Sequence, residues 1–405
     1  MKRILIVGAG FAGVWSALSA ARLLDKHGIG PDEIELAVVA PRASLDLRPR
    51  FYEPDVATMT SPVGPLFDAV GVKFVAGTVE AIDPEAGQVS IVDSRGERSA
   101  MAYDRLILAS GSRLVRPAIP GLADYAFSID QIDEAAQLET HLHGLAARPD
   151  NPPRNTAIVI GGGFTGVEIA TELPARMRAI LGDDAPVHVI VIERSDVIGP
   201  ELGAGPRPVI VEALASQGVE CLLGTSVTHI DAGGVCTTAG ERIDSLTVLW
   251  TGGMHASALT RLLPGERDPL GRLRVDRDLR LPAARHIFAA GDTACAATDD
   301  EGNHSLMSCQ HALMLGRFAG HNAAADLIGA DLLPYTQERY VTCLDLGPWG
   351  SVVTAGWERA VQFAGPAAKE QKRYINSVAI APPPPVRSEA LAAADPLLKL
   401  APSAR

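Results

Sequence analysis

One glycine pattern occurs twice in this chain, and no other feature restricts its fold so strongly. Ile4-Leu5-Ile6-Val7 is an apolar run of strand length that passes directly into Gly8-Ala9-Gly10-Phe11-Ala12-Gly13, and Val14 to Leu24 then has helical composition. In a strand, turn and helix of this kind the first glycine makes the tight turn. The second lets a pyrophosphate approach the backbone, and the third lets the helix pack closely on the strand. The freed amides and the positive end of the helix dipole face the phosphates. Further on, Ala157-Ile158-Val159-Ile160 leads into Gly161-Gly162-Gly163-Phe164-Thr165-Gly166 and a helix from Val167. The strand after each helix, Glu35 to Ala40 and Val187 to Ile192, brings the chain to a point 27 residues past the last glycine in both halves, at Ala40 and Glu193. Matching offsets at four successive elements describe one dinucleotide-binding unit carried twice, not two unrelated glycine turns.

At 405 residues the chain is long enough for two or three domains. Its 47% hydrophobic content, with 39 glycines and 29 prolines, suits an α/β enzyme rich in turns. The net charge of -12 argues against nucleic acid or an anionic membrane as the main partner, since both require clustered Lys and Arg. Five cysteines without a C-x-x-C pair make a disulfide framework improbable and point to a reducing cytoplasm. The Lys2-Arg3 opening is not read as a signal peptide, because the glycine turn breaks its apolar run. No run approaches the 18 or so apolar residues of a membrane span.

Between the repeats, Lys73 to Asp83 and Gln88 to Asp93 are expected to form a hairpin of a small meander inserted in the parallel sheet. Tyr103 to Leu108 reads as a buried strand ending in the small-residue turn Ala109-Ser110-Gly111, and Pro117 to Gly121 as a domain boundary. Val248 to Gly253 is another strand and glycine turn, with Gly252 in the turn. His286 to Ala294 delivers Gly291-Asp292, where amides and a carboxylate can meet the ribityl and phosphate part of a long cofactor. The residue ending the second strand is normally acidic, to accept from a ribose hydroxyl. Glu193 meets that rule and predicts NADH on the second unit. Ala40 does not, and Arg42 beside it offers a cation to a phosphate or is a solvated surface residue.

Together these segments resemble the flavoproteins with two dinucleotide-binding domains, of the pyridine nucleotide-disulfide reductase fold, and among them most closely the type II NADH dehydrogenases. The resemblance runs from Met1 to about Pro385 and rests on both glycine turns, Leu108-Ala109-Ser110-Gly111, Val167-Glu168, Ala289-Ala290-Gly291-Asp292, Cys309-Gln310-His311-Ala312, Gly356-Trp357, Lys369 and Lys372-Arg373. It implies an α/β fold of two Rossmann-like domains, the second inserted in the first, plus a C-terminal α+β segment. The FAD domain would comprise residues 1–116 and 254–325, the NADH domain 117–253, and the C-terminal region 326–405. FAD would contact Gly8, Gly10, Phe11, Ala12, Gly13, Arg42, Ala109, Ser110, Gly111, Gly291 and Asp292. NADH would contact Gly161, Gly163, Phe164, Thr165, Gly166, Glu193 and Gly252.

The resemblance also implies a hydride passed from NADH to flavin N5 and electrons then passed to a quinone or another small aromatic acceptor. Glu168 would lie beside nicotinamide and flavin, Gln310 would bond the flavin edge or an acceptor carbonyl, and Lys372 would lie on the acceptor side with Lys369. Each has a plainer reading: Glu168 as a helix N-terminal glutamate, the lysines as a pair on a surface helix, and His311 as an ordinary polar residue rather than a proton donor. No thiol occurs in Leu45 to Tyr52, where the disulfide reductases carry a cysteine pair, which excludes dithiol chemistry and counts against a sulfide:quinone reductase. The usual Ala-Gln-x-x-x-Gln near the flavin is Cys309-Gln310-His311-Ala312-Leu313-Met314 here, so the second glutamine is lost. Pro382 to Pro385 and an alanine-rich tail stand where the family has membrane-docking helices. Ser388 to Leu400 has one lysine, which disfavours peripheral membrane contact. A homodimer is compatible with the pattern. Two alternatives stand beside the NADH:acceptor reading: a reductase for a ferredoxin-like protein, and an NADH-sensing interaction protein on the same fold.

Overall fold

The computed structural model describes residues 1–398. Its first sheet has six strands, in the order Arg280–Leu281, Ala284–Ala289, Arg105–Leu108, Lys2–Val7, Ile34–Ala40 and Val72–Ala76. All neighbours are parallel except the edge pair at Arg280. A second, four-stranded parallel sheet runs Val219–Leu222, His188–Ile192, Thr156–Ile160 and Thr247–Trp250. The central strands Ile4-Leu5-Ile6-Val7 and Thr156–Ile160 are buried throughout, because helices cover one face of each parallel sheet and a small antiparallel sheet covers the other.

Helix α1 (Phe11–Lys26) follows the first glycine turn and α2 (Phe164–Leu181) the second. The two turns share the same close approach. A Cβ added at Gly13 would sit 1.9 Å from the Gly8 carbonyl oxygen, and one at Gly166 would sit 1.8 Å from that of Gly161. Only glycine permits helix and strand to close to this distance. Helix α3 (Cys309–Ile328) packs along α1 and carries the residues after Gly291-Asp292 back across the first sheet.

The meander differs from its expected form. Lys73 to Asp83 is two strands, because Gly77 interrupts it: a side chain there would meet Ile91 at 2.5 Å. Val72–Ala76 joins the edge of the parallel sheet, whereas Thr78–Asp83, Gln88–Val92 and Arg98–Ala102 form a separate antiparallel sheet. A matching meander, Val227–Asp231, Gly234–Thr237 and Arg242–Asp244, follows the second unit, so the internal repeat extends beyond its glycine turns.

The C-terminal part has the antiparallel strands Val341–Asp345, Ser351–Ala355 and Ala360–Gly365, then α4 (Pro366–Tyr374) and α5 (Arg387–Ala393). Helix α4 is not a surface lysine helix. Its Lys372 is only 4% exposed, because this face packs on the C-terminal sheet and over Tyr52 and Phe164. The segment from Ser388 lies against α1 through α5, burying Ala390, Leu391 and Ala394, while Leu397 and Leu398 are exposed. Its last two residues, 399 and 400, lie outside the described residues. Among the described residues no helix is long and apolar enough to cross a membrane.

Candidate active site

The C-terminal ends of both sheets, the start of α3 and the C-terminal sheet enclose one continuous cleft of about 2170 Å³. Pockets for a single small ligand are roughly 300–1000 Å³, so this one has room for more than one. Gly8, Gly10, Phe11, Ala12, Arg42, Ala109, Ser110, Gly111, Gly291 and Asp292 line its first wall. Gly163, Phe164, Thr165 and Glu168 line its second. Gly13, Gly161 and Gly166 stand behind the lining as the close-packing positions just described. Gly252 is also off the wall: Thr251 and Gly253 face the cleft, and Gly252 packs on the Trp250 ring.

The first wall fits a long dinucleotide on two observations. Space beside Gly10 is open, with no atom within 4 Å of a would-be Cβ, next to the amides that begin α1. The buried Ser110 Oγ has no hydrogen-bond partner although Ser110 borders the cleft. Asp292 accepts from Ser112 Oγ at 2.6 Å, and Ser112 accepts from Arg48 at 3.0 Å. Arg48 also pairs with Asp130, which accepts from the Leu114 amide at 3.1 Å. Burial pushes the Asp292 carboxyl above its ordinary range, against the pull of Ser112 and Arg48. Arg48 and Asp130 thus fix the residue that sequence singled out, and sequence reading passed over both. Arg48 lies in the stretch noted only for lacking thiols. Arg42 is exposed, 3.2 Å from Asp46.

Glu193 does not line the cleft; it is 7% exposed behind the second glycine turn, and its carboxylate ties the turn together by accepting from the Gly162 amide at 2.7 Å and the Ser195 amide at 2.9 Å. Two of about four lone-pair directions remain for a ribose hydroxyl.

Glu168 proves to be no simple helix N-terminal glutamate. It is buried and accepts from Lys372 Nζ at 2.8 Å and from the Asp345 amide at 3.1 Å. Lys372 also donates to the Cys343 carbonyl at 3.2 Å. Asp345 in turn accepts from Lys369 at 2.5 Å and from Tyr52 OH at 3.0 Å, and Tyr52 OH accepts from Asn376 at 3.0 Å. Burial is the largest influence on Glu168 and raises its pKa to about 7, although the Lys372 ammonium opposes it; Lys372 itself is held above its ordinary value by Glu168 despite burial. A carboxyl poised near neutrality beside a cleft is suited to hold or release a proton. Tyr52, Asp345 and Asn376 come from three distant segments with no shared motif, which is why sequence did not reveal them.

At the start of α3, Gln310 lines the cleft, and its Oε1 accepts from the Val341 amide at 3.5 Å. That leaves the amide NH₂ end free to donate. Met314 and Phe318 continue the same face of the helix into the cleft. His311 is fully buried against Tyr340 and Trp357, and burial drives its pKa down to about 3, so it is neutral and no proton donor at ordinary pH. The thiols at the cleft, Cys309 and Cys343, are raised by burial to about 11 and about 12. They are protonated, and all five cysteines are free.

Fold and cleft together define an oxidoreductase built on two dinucleotide-binding domains. The chain belongs to the pyridine nucleotide-disulphide oxidoreductase family, whose model matches residues 2–316. It is 44% identical over 399 residues to an NADH dehydrogenase-like protein of Mycobacterium tuberculosis, covering 98% of both chains. With demethylphylloquinone reductase of Synechocystis it shares 30% identity over 384 residues, 92% of this chain and 91% of the relative. The structure of NDH2 from Plasmodium falciparum in complex with NADH matches with a TM-score of 0.76 at 14% identity, covering 97% of each chain. This chain is therefore an enzyme of the NADH dehydrogenase-like group, and its family implies FAD and NADH as cofactors.

Proposed function

We propose that the chain is an FAD-dependent NADH:acceptor oxidoreductase whose acceptor is a quinone or another small aromatic molecule. The observation that carries this reading is the single cleft in which both glycine turns, Gly291-Asp292, the Glu168–Lys372 pair and Gln310 meet. The relative named as a demethylphylloquinone reductase supports a quinone as acceptor. In this reading residues 1–116 and 254–325 form the FAD domain, 117–253 the NADH domain and 326–405 the C-terminal region. Bound FAD supplies the two-electron chemistry between NADH and acceptor. Gly10, Ser110 and Asp292 hold it, with Arg48 and Ser112 fixing Asp292. Glu168 and Lys372 hold a proton and a charge beside the reacting rings, and Gln310 donates to an acceptor carbonyl. Five unpaired thiols support a reducing compartment such as the cytoplasm. The test is a steady-state screen of NADH oxidation against quinones, dyes and a ferredoxin. Turnover confined to ferredoxin would overturn the acceptor class, and none with any acceptor would favour a sensor.

Two expectations accompany the reading. Asp292→Ala is expected to weaken FAD binding about 10- to 150-fold, the worth of a charged hydrogen bond in a buried site (~1.5–3 kcal/mol). Flavin absorbance of the purified variant measures it, and full occupancy after dialysis would remove Asp292 from the site. NADH should be preferred over NADPH, because Glu193 repels a 2′-phosphate. Comparing kcat/KM for the two nucleotides checks this, and Glu193→Ala should narrow the ratio. Equal values in the wild type would refute the role of Glu193.

A further inference from the structure

Between the strand ending in Ile192 and the next helix, Pro200-Glu201-Leu202 forms a single tight turn flanked by Gly199 and Gly203, both with positive φ (57° and 83°). The turn is anchored. Leu202 is buried, the Gly199 amide donates to the Gly162 carbonyl at 3.0 Å, and Gly203 and Gly205 pack on Arg359 of the C-terminal sheet. Pro200 and Glu201 are exposed, and the Glu201 side chain lies across the start of α2. Its Oε1 is 3.4 Å from the Phe164 amide, and a Cβ built on Gly163 would be 2.4 Å from the same oxygen. The carboxylate therefore rests on the Phe164 amide, at the end of the helix that the glycine turn opens toward a pyrophosphate and where the helix dipole favours any anion.

We propose that Glu201 is a built-in competitor for the pyrophosphate of NADH, and so sets how tightly the nucleotide binds. The proposal rests on the reading that NADH occupies the second glycine turn. In this structure the carboxylate caps α2 through the Phe164 amide. Because the backbone of the turn is anchored on both sides, NADH displaces it by rotating the side chain into solvent. Even when displaced, the carboxylate remains a full negative charge within a few ångströms of the phosphates. Weak retention suits a nucleotide that must leave after each turnover.

The test uses the flavin-loaded enzyme and Glu201→Gln, which keeps the shape and removes the charge. ADP-ribose carries the pyrophosphate without the reactive ring, and adenosine serves as the phosphate-free control; both are titrated by calorimetry. ADP-ribose is expected to bind the variant about tenfold more tightly, as for one like charge removed near a surface anion site, while adenosine affinity is unchanged. The KM for NADH should fall by a similar factor with kcat unaltered. Unchanged affinity for ADP-ribose would overturn the proposal. Weaker affinity would also overturn it, making Glu201 a ligand of the nucleotide. Failure of ADP-ribose to bind the wild type at all would overturn both this proposal and the NADH assignment beneath it.

Discussion

Lys372→Met is expected to destabilise the protein by about 3 kcal/mol near pH 8.5 and by less than half as much near pH 5.5. Both partners of the Glu168–Lys372 pair are only 5% exposed at the side chain. Glu168 titrates at about 7 in the folded protein against 4.5 for the ordinary group. A carboxyl with a raised folded value contributes its stability in full below the unfolded value and loses it as the pH climbs through the folded one. Below pH 5 or so, then, Glu168 is neutral and needs no counterion. Above neutrality it must either remain charged without its ammonium or bind a proton against the prevailing pH, and both are costly. Urea unfolding of wild type and variant at the two pH values gives the difference. An equal loss at both would mean that Lys372 stabilises by packing over Tyr52 and Phe164 rather than by charge.

Gln310→Leu is expected to slow reoxidation by a quinone about 100-fold while leaving reduction by NADH nearly intact. The carbonyl end of this amide is held by the Val341 amide, so the NH₂ end is left to donate into the cleft. One donor aimed at an oxygen that gains negative charge is typically worth ~2.7–4 kcal/mol. Met314, one turn on, has no group to donate, its sulfur accepts from Arg317 at 3.8 Å, and it makes the neighbouring wall apolar and adaptable. Short-chain or soluble aromatic acceptors should therefore serve as well as long-chain ones, with solubility the main difference among them. Stopped-flow kinetics separates the half-reactions. A defect confined to reduction would put Gln310 on the nicotinamide side, and a defect in neither would make it structural.

The sequence made the duplicated unit legible because its physics is local. Gly8 and Gly13, and Gly161 and Gly166, are dictated by a turn and a close approach within a dozen residues. The second meander was hidden because its strands are short and mostly half-exposed, so apolar alternation over Val227–Asp231 and Arg242–Asp244 is weak. Site residues followed the same division. Asp292 and Glu193 follow buried strands and could be picked out. Arg48, Tyr52, Asp345 and Asn376 gain meaning only when tertiary packing brings separate loops onto Asp292 and Glu168. The burial of Lys372 was equally invisible, since the sequence of α4 is strongly polar and its burial comes from the sheet and rings packed over it.

The central claim is that one cleft passes two electrons from NADH through bound flavin to a small aromatic acceptor. An anaerobic titration of the purified protein tests it most directly, following flavin absorbance as NADH and then a soluble quinone are added. One NADH per flavin should bleach the chromophore completely, and one quinone per flavin should restore it. Bleaching that no quinone reverses, or a flavin that NADH leaves oxidised, would contradict the account.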